Sequence, residues 1–314
     1  MKILFFGTPG FAAASLQALM RSSHQVIGVV TQPDRPKGRG NQLAASPIKE
    51  AAHAGQIPIH QPTDLKEAFF LQTIHSLKPD AAVVVAYGRI LPKSLLDLFP
   101  KGVFNLHASL LPRYRGAAPI QWAIIRGETE TGVTIFQLDE QLDHGPIVLQ
   151  AKQPIQADDD AVSLSSALAQ LGAQTIVQAM DIIQAGKASL TPQKDSAATH
   201  APILKKEDGI IRWEADSRTI HNLVRGVQPW PGAMTRLDGK LLKILAATAD
   251  PSRHDVNATP GTMTLADPQK GLWVQTGTGQ LRIQRLQMEG GNPVSAEDFL
   301  RGHPTPPGTS LTSK

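Results

Sequence analysis

Short, largely apolar runs recur at residues 2–6, 25–31, 81–86 and 102–107, and segments with helical spacing lie between them at residues 11–20, 47–55 and 64–77. A run that is apolar throughout has no polar face to give to water, so it must be covered on both sides. Strands of this kind separated by crossover helices form a parallel sheet with helices on both faces. In such sheets ligands gather at the carboxyl ends of the strands. Here those ends are Tyr87-Gly88 and the segment that follows His107.

Further along, residues 119–126 predict a helix, residues 132–138 and 146–152 two strands joined around 139–145, and residues 164–183 a long helix. Residues 186–202 mix Ser, Thr, Ala, Pro and Lys without any period and read as a linker. Alternating runs at 240–246, 272–276 and 280–286, with Asp238-Gly239 as a tight turn, predict a smaller β-rich domain. The expected division is a catalytic domain over residues 1–188, a linker over 189–206 and a second domain over 207–314, with residues 304–314 frayed. At 314 residues, 41% hydrophobic and 18% charged, the chain has enough apolar material for two cores.

Composition also removes several chemistries. With no cysteine there is no thiol nucleophile, disulfide or thiolate metal site. Met1-Lys2 leads into an apolar stretch that Gly7 and Pro9 interrupt too early for a signal or membrane segment, so the expected compartment is the cytoplasm. A net charge of +4 favours an anionic partner but is small for a dedicated nucleic-acid binder. The excess lies in two places: the C-terminal part, and residues 33–49, where Arg35, Lys37, Arg39 and Lys49 face only Asp34. Gly7-Thr-Pro-Gly10 lacks the middle glycine of a dinucleotide loop, and neither Gly-x-Ser-x-Gly nor His-Glu-x-x-His occurs.

The segment at residues 104–116 reads Phe-Asn-Leu-His-Ala-Ser-Leu-Leu-Pro-Arg-Tyr-Arg-Gly. On a strand, residues two apart share a face, so Asn105 and His107 stand together while Phe104 and Leu106 point to the other side. Asp143, at the tip of the expected hairpin, is placed to reach an imidazole. Amide, imidazole and carboxylate together suit acyl transfer. From pattern alone a second reading stays open, in which Asn105 and His107 are satisfied polar residues at a strand end and Asp143 is an ordinary turn residue.

The same segment, extended by Ala-Ala-Pro and followed by Glu-Thr-Gly-Val-Thr and Leu-Asp-x-Gly, resembles the folate-dependent formyltransferases. Phe-Gly-Thr-Pro-x-Phe-Ala at residues 6–12, Thr-Gln-Pro-Asp-Arg-Pro-Lys-Gly-Arg-Gly at 31–40 and Val-Val-Val-Ala-Tyr-Gly-Arg-Ile-Leu-Pro at 83–92 are similar to the members of that family that act on methionyl-tRNA. The resemblance implies an α/β fold: a Rossmann-like catalytic domain with a parallel-rich sheet, then a smaller OB-like β-barrel. It implies transfer of a formyl group from 10-formyltetrahydrofolate to the α-amine of initiator methionyl-tRNA, through a tetrahedral intermediate, by a monomeric enzyme without metal. Asn105 then donates to the oxyanion, His107 manages the proton and Asp143 holds the ring. Folate contacts fall on Ala86, Tyr87, Gly88 and Ile90 and on Ser109, Leu110, Leu111 and Pro112, and tRNA contacts on Arg35, Lys37 and Arg39. Two rivals are the same chemistry on an amino sugar or glycinamide ribonucleotide, and a noncatalytic RNA-binding module.

Overall fold

The computed structural model describes residues 1–37 and 42–313, which form two compact units: residues 1–119, 130–154 and 165–201, and residues 120–129, 155–164 and 202 onward. The chain runs β1 (Lys2–Gly7), α1 (Phe11–Met20), β2 (Gln25–Val30), β3 (Arg35–Lys37), β4 (Gln42–Ala44), α2 (Pro47–Ala54), β5 (Ile59–His60), α3 (Ala68–Leu77), β6 (Ala81–Val85), α4 (Lys93–Leu96) and β7 (Val103–His107). It continues through α5 (Pro119–Ile125), β8 (Glu130–Gln137), β9 (Ile147–Pro154) and α6 (Ala161–Gln184).

In the first unit the sheet order is β5-β2-β1-β6-β7-β8-β9. The five strands from β5 to β7 are mutually parallel, and β8 and β9 extend the sheet as an antiparallel hairpin. Ile3 to Phe6 and Ala81 to Val85 are buried along their whole length, the signature of strands covered on both faces. Leu4, Phe6, Val30, Phe70, Ile74, Val84 and Tyr87 form one core cluster of this unit.

Local signals explain where the helices begin. Ser46 caps α2 by accepting from the Lys49 N–H at 3.0 Å, Pro47 presets the first turn, and Glu50 sits in that turn beside the positive end of the dipole. The helix expected from residue 64 starts only at Ala68, because the Asp64 carboxylate accepts from the Lys66 N–H at 2.9 Å and folds this segment into a turn. Residues 35–37 and 42–44 hold more order than a Gly- and Pro-rich sequence suggests: β3 and β4 pair antiparallel, Arg35 opposite Ala44 and Lys37 opposite Gln42.

Much of the aperiodic stretch after α6 is not a free tether. Thr191 exchanges two backbone hydrogen bonds with Ile147, and Thr199 and Ala201 bond to the backbone of Arg115, so residues 191–201 lie as a strap along the first unit.

The second unit adds α7 (Ser217–Gly226), β10 (Ala233–Leu237), β11 (Lys240–Asp250), β12 (Met263–Asp267), β13 (Gly271–Gln275), β14 (Gln280–Met288), β15 (Val294–Ser295), α8 (Ala296–Gly302) and β16 (Leu311–Thr312). Its antiparallel sheet runs β12-β13-β14-β11-β10-β16, with β15 on β14. Register shifts around Ala246 in β11 bend the sheet. The edges then meet: Met263 N–H donates to Thr309 O and Leu311 N–H to Gly261 O, both at 2.8 Å, closing an OB-like barrel. Gly261 has φ +92°, and a Cβ there would lie 2.5 Å from the Leu311 carbonyl oxygen, so the closure needs glycine. Trp213, Val224, Leu242, Leu281, Phe299 and Leu311 fill the interior.

The frayed tail expected over residues 304–314 is therefore corrected. Leu311 is 3% exposed, and Trp213 Nε1–H donates to Thr235 Oγ1, whose hydroxyl donates to the Thr312 carbonyl. Among the described residues no helix is long and apolar enough to cross a membrane.

Candidate active site

Strand β7 carries Asn105 and His107 on one face and Leu106 on the other, against α6, where a Cβ at Gly172 would lie 2.6 Å from Leu106 Cδ1. Its neighbour β8 sets Thr134 opposite His107. Thr134 is fully buried. Its hydroxyl donates to the Ser109 carbonyl at 2.6 Å and accepts from the Leu111 N–H and from Gln150 Nε2. The Ser109 hydroxyl donates to the Arg113 carbonyl at 2.6 Å. These bonds turn the chain sharply after β7, through a cis Leu111–Pro112 bond and Tyr114 at φ +62°.

That turn brings the Tyr114 carbonyl to 2.8 Å from His107 Nε2. A carbonyl only accepts, so the proton sits on Nε2 and leaves Nδ1 as the open nitrogen. Nδ1 faces Asp143 Oδ2 at 3.6 Å, beyond a direct hydrogen bond. Asp143 is 9% exposed, with φ +50°, and its Oδ2 accepts from the Gly116 N–H at 2.8 Å. Gly116 itself has φ +125°, and a Cβ there would lie 2.5 Å from the Ala201 carbonyl oxygen, so this close approach also needs glycine. Asn105 is half-buried, and its amide takes no hydrogen bond from the described residues.

Around this centre lies a polar network. Gln193 Nε2 donates to the carbonyls of Asp143 at 2.9 Å and Gly145 at 2.8 Å, while its Oε1 accepts from Arg115 Nε and Nη2. Arg115 also pairs with Asp195 at 2.9 Å and holds that carboxyl below its usual range. Next to Asp143, His144 Nδ1 lies 2.8 Å from Asp139, and this hydrogen bond holds the imidazole above its ordinary 6.5.

The neighbouring strand ends lie abreast, since Gly7 pairs with Val85 and Val85 with Leu106. Thr8 Oγ1 and Gln32 Nε2 both donate to the Tyr87 carbonyl, tying the ends of β1 and β2 to that of β6. Ala86, at φ +47°, Gly88 and Ile90 are exposed there, whereas Tyr87 is buried, which pushes its hydroxyl above the usual value. Leu110 and Pro112 are half-buried; Ser109 and Leu111 lie beneath the surface.

Of the basic residues singled out in the sequence, Arg35 is exposed and Lys37 lies in β3, while Arg39 falls outside the described residues. Lys49 does not add to their charge: its ammonium lies 2.5 Å from Asp34, which also accepts from Gln61. Thr134, Gln150, Gly116 and Gln193 were not singled out by sequence reasoning. Thr134 alone gave a signal, a hydroxyl inside the apolar run Val133-Thr-Ile-Phe136.

A profile of the formyl transferase family matches residues 1–180, and one of the formyl transferase C-terminal domain matches residues 203–304. The chain is 48% identical over 311 residues to a methionyl-tRNA formyltransferase of Syntrophus aciditrophicus, covering 99% of both proteins. It is 46% identical to that of Desulforamulus reducens, covering 99% of this chain and 98% of the relative. In fold it matches an N-formyltransferase from Helicobacter canadensis solved with folinic acid and dTDP-3-aminofucose, with a TM-score of 0.67 at 18% identity over 90% of this chain and 99% of that one. The chain belongs to the formyl transferase family.

Proposed function

We propose that the chain moves the formyl group of 10-formyltetrahydrofolate onto the α-amine of initiator methionyl-tRNA, preparing that tRNA for translation initiation in the cytoplasm. The observation that carries the chemistry is the Asn105 amide, without a partner among the described residues, on the same strand face as His107, whose open nitrogen looks toward a buried carboxylate. The near full-length identity to relatives that bear this name supports the acceptor.

The formyl folate, when bound, supplies an activated one-carbon acyl group. Attack by the acceptor amine on the formyl carbon makes a tetrahedral adduct with negative charge on oxygen, and Asn105 donates a hydrogen bond to that oxygen. His107 takes the amine's proton at Nδ1, and Asp143 stabilises the imidazolium formed. The proton then passes to the leaving N10 as its bond to carbon breaks. No metal enters this scheme.

The exposed edge formed by Ala86, Gly88 and Ile90, with half-buried Leu110 and Pro112, fits a flat heterocycle; Tyr87, Ser109 and Leu111 act from beneath by fixing the backbone. In this reading residues 1–188 catalyse, residues 189–206 connect, and the barrel over 207–314 binds tRNA together with Arg35, Lys37 and Arg39, in a monomer.

The test is transfer of labelled formyl from 10-formyltetrahydrofolate, with charged initiator tRNA, an amino sugar and glycinamide ribonucleotide as competing acceptors. Label on the tRNA alone is the expected outcome. Label on a small amine overturns the acceptor but keeps the chemistry, and no label on any acceptor with folded protein overturns both.

A further inference from the structure

Gln193 lies in the strap, far from β7 in sequence, yet all the hydrogen-bonding capacity of its amide is directed at the candidate site. Its two N–H groups go to the carbonyls of Asp143 and Gly145, at 2.9 and 2.8 Å, and both lone pairs of its oxygen receive Arg115 donors, at 3.1 and 2.9 Å. The orientation is fixed by chemistry. A flipped amide would set its NH2 against the Arg115 guanidinium and its oxygen against two carbonyls.

These bonds close a ring. From the Asp143 carbonyl it runs through Gln193 to the Arg115 side chain, along the backbone to the Gly116 N–H, and back to the Asp143 carboxylate at 2.8 Å. Asp143 is thus held at both its backbone and its side chain, in a left-handed conformation that an aspartate enters only at some cost. The far side of the ring is braced by Asp195 on Arg115 and by the backbone bonds of Arg115 to Thr199 and Ala201.

We infer that Gln193 is a positioning residue that sets the Asp143 carboxylate against His107, so that the strap takes part in building the active site. The inference rests on the reading of Asp143 as a member of the catalytic centre.

Gln193→Glu is the discriminating variant. It keeps the length of the side chain and the acceptor for Arg115 but replaces the two donors with an oxygen that repels the Asp143 and Gly145 carbonyls. If Gln193 only fastens the strap through Arg115, this change is silent. If it positions Asp143, kcat falls about tenfold to a hundredfold while KM for folate and for tRNA stays within about twofold, the pattern of a displaced supporting group. Should the charged variant fail to fold, as judged by thermal melting, Gln193→Met is read against Arg115→Met: the first loses the donors to Asp143 and Gly145 as well as the Arg115 bonds, the second only the Arg115 bonds, so a larger kcat loss in Gln193→Met is the expected result and a loss no larger than that of Arg115→Met overturns the positioning role.

The same assays on Asp143→Asn and on the double variant separate the two layers of the argument. The expected result is a slow Asp143→Asn enzyme in which Gln193→Glu costs little more, because both changes act through one carboxylate. A slow Asp143→Asn beside a fully active Gln193→Glu overturns the positioning role alone. Full activity in Asp143→Asn overturns the reading of the site and the inference with it.

Discussion

His107 has one nitrogen occupied by the Tyr114 carbonyl, and that single contact decides how the residue is able to act. Only Nδ1 is left to exchange a proton, and the nearest acidic oxygen, Asp143 Oδ2 at 3.6 Å, is already accepting from the Gly116 N–H. Asn105 differs in having an amide with no partner among the described residues. If it meets the oxyanion, Asn105→Ala lowers kcat by about a hundredfold or more with KM little changed, read from steady-state formyl transfer at saturating tRNA. His107 and Asn105 were legible in the sequence because a strand shows polar residues two apart inside an apolar run. The tautomer was not: it depends on a carbonyl seven residues away, brought back by a turn that Thr134 fastens from another strand. Gln193 was equally invisible, since a lone glutamine in an aperiodic stretch says nothing about which carbonyls it meets.

At the scale of elements, the parallel strands could be read because burial on both faces leaves no alternation, and α2 because Ser46, Pro47 and Glu50 spell a helix start. The strap and the tail could not, since their order comes from backbone bonds to distant segments. β16 spans two residues, yet its Leu311 is 3% exposed and packed in the barrel core. Leu311→Ala is therefore expected to destabilise the second unit by about 2 kcal/mol or more, the usual cost of truncating a buried leucine. Chemical denaturation followed by tryptophan fluorescence checks this, because Trp213 lies in the same core and its ring nitrogen bonds to Thr235, which in turn holds Thr312. An unchanged midpoint would mean that the tail adds nothing to the barrel.

Across the whole molecule, three wholly or partly buried histidines contribute to the response to acid. Burial lowers the pKa of His24 and His60 in the first unit and pushes His221 in the second down to about 4. Each is neutral in the folded chain over a pH range in which the unfolded chain takes up a proton, so their contribution is intact above about 6.5 and is lost as pH falls toward 4. Melting temperatures of both units should drop across that window, followed by calorimetry from pH 7 to 4. His144 runs the opposite way: its raised pKa favours the folded state below 6.5 and that benefit fades as pH climbs through the raised value. Barrel closure by residues 309–311 also has a consequence during synthesis. The first unit has all its strands and its strap once Ala201 has emerged from the ribosome, but the second cannot join its edges until Leu311 has emerged as well, so the nascent chain carries an open sheet edge for as long as that segment is missing.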